Sequence, residues 1–375
     1  MKLTAAQLRE LVNPTRVEVY LRARGWSVRE QNRLYGVWAS PSGVQVFIPR
    51  SPAPADYAER LYELVDSLAR TFRLPFETMV ADLRYAAADL IRIRVSGPKI
   101  GYGEVLIDEG AGLFAGARDM MLAAACAAVE TKPSYGSRKP NQAMEYLDHV
   151  RLGQTEQGSY VVTVISDIAP PEQEFIVDDL AATIDVPFER LVTTTLLGSL
   201  TAANTAAGLV LRGEDDFGAF DGAVDAGVSA NLCDALTKMG ADQSAAHIQV
   251  GVDWASSRPT STAPELSTVT FEPAAIPVFQ DAVGHLRKLG PFENEVVTGY
   301  VERLSRPNEE EIGTIVIDGD VQGARRNVQL HLPEDEYQIA IQAHAAHRKV
   351  RIRGTVFKRG RSWVMTDAGK LSLDG

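Results

Sequence analysis

The chain is poor in cysteine. Among 375 residues there are two, Cys126 and Cys233, far apart and each inside an alanine-rich run. Two such thiols give neither a disulfide framework nor a zinc-ligand spacing. Both read as small buried apolar residues in a reducing compartment. Also missing are a phosphate-binding GxxxxGK[ST] or GxGxxG loop, a GxSxG elbow, an HExxH pair and a CxxC pair. The reactions these motifs announce therefore have no local signature, and the sequence assigns no catalytic residue, metal ligand or cofactor. The start, MKLTAAQLRELVNPTR, has no apolar stretch or small-residue cleavage site of the secretory kind. The most apolar window, 113–129, contains Arg118 and Asp119 and reads as too short and too charged to span a bilayer. A cationic excess is lacking too. The formal charge is −11, the opposite of what an unspecific duplex coater carries, so any polyanion site is a local patch on an acidic body.

Hydrophobic residues make up 45% and charged residues 23% of the chain, ordinary values for a globular protein. The length fits two to four domains. Arginine outnumbers lysine and alanine is abundant, which points to a GC-rich bacterial genome; the reducing compartment expected for the two thiols is the cytoplasm. Helical and strand patterns do not alternate strictly, so the expected class is α+β and multidomain rather than a doubly wound sheet. The expected parts are residues 1–75, 76–292 and 293–375.

In the first part, RVEVYLRARGW reads as a helix that stops near Gly25. WSVREQ, LYGVWAS and VQVFIPR read as short strands, the last two joined by a Ser40-Pro41-Ser42-Gly43 turn. DYAERLYELVDSLARTF has apolar residues at helical spacing, Leu61, Leu64, Val65 and Leu68. This αβββα order, with RARGW before the sheet and VFIP closing it, resembles small HicA-like and double-stranded-RNA-binding-like modules. HicA-type toxins carry a histidine on the first sheet strand. Here Leu34-Tyr35-Gly36 stands in that neighbourhood and no histidine precedes His149, so a shared fold would come without that ribonuclease chemistry; the alternative is an unrelated small α+β module used for contacts.

The middle part is expected to hold a strand at 89–95, a helix around 110–129, a strand at 159–166, and a helix opening at PFERLV with proline at its first position. A further helix is expected from about Phe217 to Met239, then paired strands IQVGVDWA and STVTFEP, then a closing helix IPVFQDAVGHLRKL. The last part reads as strands EVVTGYVERLSR, GTIVIDGD and NVQLHLP, a helix DEYQIAIQAHAAH, and strands KVRIRGTVF and SWVMTD. Five strands with a helix between the third and fourth resemble the OB-fold β-barrel.

Two sets of residues stand out. Between His347 and Trp363 the basic residues Arg348, Lys349, Arg351, Arg353, Lys358, Arg359 and Arg361 run without an intervening acid. Strand alternation puts Val350 and Ile352 on one face and Arg351 and Arg353 on the other. The OB resemblance makes Lys358–Arg361 one of the two loops that grip single strands, with Trp363 and Tyr300 available to stack bases. The acidic runs 309–311 and 334–336 oppose this by offering internal partners. The second set is Tyr135, Arg138, Lys139, Arg151 and Gln154, polar residues in glycine-punctuated loops suited to an anion or phosphorylated small molecule. In that reading Asn141 caps the intervening helix, Met144, Leu147 and Val150 form its apolar face, and Arg151 meets its dipole end.

The acidic loop 213–225 reads as helix-capping aspartates rather than a metal site. His344 and His347, with His331 on the preceding strand, read as solvent-facing rather than as a metal pair. The favoured expectation is a non-catalytic multidomain binding or adaptor protein, associated with single-stranded nucleic acid through the last part and acting with a protein partner, away from membranes. The alternatives are an enzyme or sensor holding a nucleotide in the middle part, and a protein-docking subunit of a larger complex.

Overall fold

A computed structural model describes residues 3–97, 104–153, 160–168, 186–240, 247–258, 267–306, 312–360 and 362–374. Among the predicted site residues, Gln154 and Arg361 lie outside these, as do Glu309, Glu310 and Glu311. The fold is α+β with three sheets and three main apolar cores.

The chain enters through α1 (Ala5–Leu11), closed by a reciprocal Thr4–Gln7 capping box, and α2 (Pro14–Arg22), capped by Asn13 with Pro14 at the first helical position. Strands β1 (Ser27–Gln31), β2 (Tyr35–Ala39) and β3 (Gln45–Pro49) form an antiparallel meander. The β2–β3 turn is fixed by Ser40 Oγ, which accepts the Val44 amide at 2.9 Å, and by Gly43 at φ +90°. Helix α3 (Tyr57–Phe72) buries Leu61, Leu64, Val65 and Leu68, the expected stripe, and ends at left-handed Arg73. A further helix, α4 (Phe76–Arg84), adds Met79, Val80 and Leu83 to the same core, which reaches Ala86. The expected αβββα order is thus corrected to ααβββαα. The added helices are seven and nine residues long, too short to show several turns of apolar periodicity.

The second core is built on β4 (Ala88–Ser96), flanked by α5 (Ile107–Val129), α6 (Asn141–His149), β5 (Arg151–Leu152), β6 (Tyr160–Asp167) and α7 (Phe188–Leu211). After α7 come α8 (Gly218–Ala223), a 3₁₀ turn (Val224–Ala226), α9 (Ala230–Gly240), β7 (His247–Asp253), β8 (Thr268–Phe271) and α10 (Ala275–Arg287). The sheet order is β5-β6-β4-β7-β8, antiparallel throughout. Ile91, Ile93 and Val95 of β4, Val162 and Val164 of β6, and Ile248, Val250 and Val252 of β7 bury one face beneath α5, α7, α9 and α10. The single helix expected over 217–239 is instead broken. Gly227 at φ +95° ends the 3₁₀ turn, a conformation that stops helical propagation.

Helices α5 and α7 are both long and apolar enough to cross a membrane, which corrects the expectation of a short, charged window at 113–129. Helix α5 begins at Ile107, six residues before that window. Asp108 and Glu109 are not outside the helix but in its first turn, where the N-terminal dipole favours acids. Here α5 is a core helix packed against α7 and α9. Its small residues permit a close crossing: a Cβ on Gly116 would lie 2.8 Å from the Ala235 carbonyl. Gly116→Val is expected to destabilise the fold by about 1–3 kcal/mol through overpacking, read as a lowered thermal midpoint.

The third core uses β9 (Phe292–Ser305), β10 (Ile312–Val321), β11 (Ala324–Pro333), α11 (Glu334–Ala345), β12 (Lys349–Arg359), β13 (Ser362–Thr366) and β14 (Ser372–Leu373). The expected order of strands and helix is present. The expected closed barrel is corrected to a curled mixed sheet, ordered β13-β11-β10-β9-β12-β14, with β13 also paired to β12. The parallel β11–β13 seam is only two residue pairs long, Val328↔Trp363 and Gln329↔Val364, so the ladder is not continuous round a cylinder. Gly299 sits where a side chain would overlap the Asp318 carbonyl of β10, which lets β9 bend across the sheet.

Candidate nucleic-acid interface

Antiparallel pairing of β12 with β9 places Lys349 opposite Tyr300, Arg351 opposite Thr298 and Arg353 opposite Val296. Val350 and Ile352 point into the core while Lys349, Arg351 and Arg353 are exposed, as strand alternation requires. The Lys349 ammonium lies 5.6 Å from the centre of the Tyr300 ring, and that ring is 43% exposed. Among the described residues, Arg351 and Arg353 have no carboxylate within ion-pair distance, although both lie on an acidic chain. Arg348 stands just before β12, and its side chain is engaged within the protein.

The rest of the basic run is used differently. Lys358 is ion-paired with Asp221 of α8, and Arg359 Nε lies 3.4 Å from Asp225 Oδ1. The end of β12 is therefore a joint to the middle of the chain, reinforced by the Lys358 amide donating to the Leu289 carbonyl at 2.7 Å. This corrects the expectation of a free gripping loop. Trp363 is corrected as well. It stacks on Phe292 with centroids 6.1 Å apart, and Arg326 lies over it at 5.2 Å, so most of its surface is already committed.

Two arginines missed in the sequence, Arg325 and Arg326, follow the Gln322-Gly323 turn into β11. The doubled basic residue beside a turn was the available signal. Arg325 is hydrogen-bonded to Asp318 on the outer face and holds that carboxyl below its ordinary value. The outer face is therefore cationic along β12 and locally neutralised at β10–β11.

The second predicted set does not converge. Tyr135 is buried, its hydroxyl donating to the Glu130 carbonyl at 2.8 Å. Burial pushes that phenol far up from its ordinary value. Lys139 donates to the Tyr135 and Gly136 carbonyls. Both line a small cavity of about 260 Å³ with Arg118, Asp119 and Lys238. Arg138 is exposed nearby. Arg151 is elsewhere: it belongs to β5 and pairs with Asp167, which also takes Arg16. The three line a cavity of about 1030 Å³ between the first and second cores. Arg151 therefore does not cap α6. Pro140 occupies the α6 cap position, so Asn141 makes no cap, and the buried face is Ala143 and Tyr146 with Met144 exposed. Leu147 and Val150 of the expected face pack, partly buried, against the same core.

Other acids and histidines have local partners. Asp215 Oδ1 accepts the Gly218 amide at 3.1 Å from before the cap position, which Phe217 occupies, and Asp221 and Asp225 serve the joint, so the run is not the set of capping aspartates expected. His344 Nδ1 is 2.6 Å from the Val301 carbonyl, and His331 Nδ1 is 3.0 Å from Thr314 Oγ1. No group of three metal-ligating side chains occurs among the described residues.

A fully buried ion pair had no sequence signal. Asp89 of β4 accepts Arg190 Nε and Nη2 at 3.0 Å, Thr193 Oγ1 at 2.7 Å and the Ala255 amide at 2.7 Å. Burial pushes the Asp89 carboxyl up from its ordinary value, and Arg190 then pulls it back. Arg190 also donates to the Arg258 carbonyl at 2.9 Å and lies 5.1 Å from the Trp254 ring centre. With its acceptors filled, this cluster ties β4, α7 and the segment after β7 together and leaves no free group for chemistry.

Cys126 and Cys233 are both buried and unpaired, as read from the sequence. Burial pushes their thiols up from 9.0 to about 11 and about 12. A thiol-reactive dye at pH 8 is expected to label neither in the folded protein and both in denaturant. Because the folded values exceed the unfolded ones, the thiols' contribution to stability is complete below about pH 9. It is lost as pH rises through about 11 to 12, which a pH series of unfolding midpoints will show.

Comparison of this chain with family models, with curated proteins and with solved structures finds no match in any of the three.

Proposed function

We propose that this is a binding protein that holds single-stranded nucleic acid on the outer β12–β9 face. The observation that carries the reading is that Arg351 and Arg353, in line with Lys349 beside the exposed Tyr300 ring, have no ion-pair partner among the described residues. Leaving two arginines unsatisfied on a chain of net charge −11 forgoes internal ion pairs that the many carboxylates offer. A polyanion supplies the missing partner, with guanidinium forks suited to phosphate oxygens. An exposed ring on the same face offers one base a stacking platform, worth about 1–3 kcal/mol. Nothing in this arrangement reads base edges, so the expected binding is indifferent to sequence.

The test is fluorescence anisotropy of a labelled oligothymidine titrated with the protein between 50 and 200 mM salt. Single strands lose roughly 0.7 log units of affinity per log unit of salt for each phosphate neutralised. Three cations then give a slope near −2, a fall of about 15-fold over that range. Binding that is absent at 50 mM salt, or insensitive to salt, removes the reading. The alternative, a phosphorylated small molecule held by the second residue set, has less support, because Arg151 and Lys139 line different cavities.

A further inference from the structure

The joint at the end of β12 bears on how such a face is controlled. We infer that Asp221 and Asp225 act as an internal stand-in for phosphate on Lys358 and Arg359, so that this contact holds the binding strand in a restrained state which a long enough single strand displaces. The inference rests on the proposed single-strand reading and adds its regulation.

Three features of the contact support it. First, the same strand carries both the free and the occupied cations. Arg353 and Arg359 are six residues apart on β12, about 20 Å at the usual strand rise. That is a path of the length that single-strand grooves cover, about 4–16 nucleotides per site. Second, the occupying groups are the chemical counterpart of phosphate, since carboxylate oxygens accept the same charge-assisted hydrogen bonds from ammonium and guanidinium donors.

Third, the two pairs differ in strength. Lys358 and Asp221 are largely shielded, with 27% and 16% of their side chains exposed. Asp221 is also held by His285 Nε2 at 2.6 Å, whose ring stacks on Phe217 at 5.4 Å. The Arg359–Asp225 pair is 3.4 Å long and its side chains are 53% and 55% exposed, a geometry of small net stability. Gly360, at φ +55°, would bring a Cβ within 3.2 Å of Asp225 Oδ2, so the turn lies directly against the acid. An incoming phosphate chain therefore meets the weak outer pair first and the shielded inner pair second. Releasing both gives it two further cations.

The experiment compares the full chain with the Asp221→Asn/Asp225→Asn variant in the oligothymidine assay. The variant is expected to bind about tenfold more tightly at 50 mM salt. Its salt slope should steepen from about −2 to about −3.5, the increment of two added phosphate contacts at roughly 0.7 each. Asp225→Asn alone opens only the exposed pair and should give a slope of about −3; it covers the case in which loss of Asp221 disturbs folding. Removing two acids raises polyanion affinity anywhere on a protein, so Asp216→Asn/Asp281→Asn, exposed acids of the same part of the chain, is the matched control. If the control tightens binding equally, or if the joint variants leave affinity and slope unchanged while wild type binds, the restraint is overturned and the single-strand reading stands. If none of the proteins binds, the reading and the restraint fall together.

Discussion

Asp89→Ala is expected to cost about 3–5 kcal/mol, because it leaves the Arg190 guanidinium buried without a counter-charge. Asp89 is fully buried and Arg190 is 4% exposed, so neither solvent nor salt compensates the loss. The same change strips the acceptor from the Ala255 amide, a buried donor whose orphaning costs about 1–3 kcal/mol in its own right, and leaves the Thr193 hydroxyl only the Arg190 carbonyl at 3.1 Å. For a unit of this size the thermal midpoint should fall by roughly 10 °C. Hydrogen exchange of the β4 amides, which lie between β6 and β7, reports the affected core directly. The Asp89→Leu/Arg190→Met double variant tests the cause. Removing both charges should recover part of the loss, but not all of it, because the Ala255 amide stays unpartnered. A single variant that melts like wild type would show that the cluster does not bear on stability.

The second large effect is functional. Arg351→Glu/Arg353→Glu is expected to weaken oligothymidine binding at 50 mM salt by about 100-fold or more. Two charge-assisted contacts, each worth about 1.5–3 kcal/mol, are lost and replaced by repulsion. The salt slope should flatten to less than half that of wild type. Neither side chain has an internal ion pair among the described residues, so the folded state loses no ion pair and the thermal midpoint should stay put. Tyr300→Ala should weaken binding through the lost stack, about 1–3 kcal/mol, with the slope nearly unchanged because no phosphate contact goes with the ring. Arg33→Glu/Arg73→Glu, exposed cations of the first core, controls for net charge. If that control weakens binding as much as the β12 variant, the face is not the site.

The two predictions concern different kinds of residue, and the difference follows chain chemistry. Asp89 and Arg190 are 101 positions apart and are satisfied only by each other's surroundings. Arg351 and Arg353 owe their exposure to two-residue alternation within one strand. The first is a property of the assembled core, the second of a local pattern.

The same division runs through the whole protein. Strands with alternating residues and helices with an apolar stripe were legible: β1 to β3, α3, β4, β6, α7, and the strand and helix order from β9 to β13 all lie where periodicity put them. Turn chemistry was legible too, as at Ser40–Gly43, because a hydroxyl acceptor and a glycine at positive φ act within four residues. The class, α+β in several parts, follows from these local features. So does the cationic face of β12.

What the sequence could not decide were pairings between distant charges and the places where a local rule yields to packing. Whether Lys358 and Arg359 face solvent or Asp221 and Asp225, whether Arg151 ends a helix or meets Asp167, and whether the last sheet closes evenly depend on which segments meet in space. Coulomb attraction falls with distance and grows as burial lowers the local dielectric, and neither distance nor burial is encoded in composition or spacing. Local backbone and side-chain periodicity thus determined the elements of this protein. Only the tertiary structure decided which charges were already neutralised and which were left for a ligand.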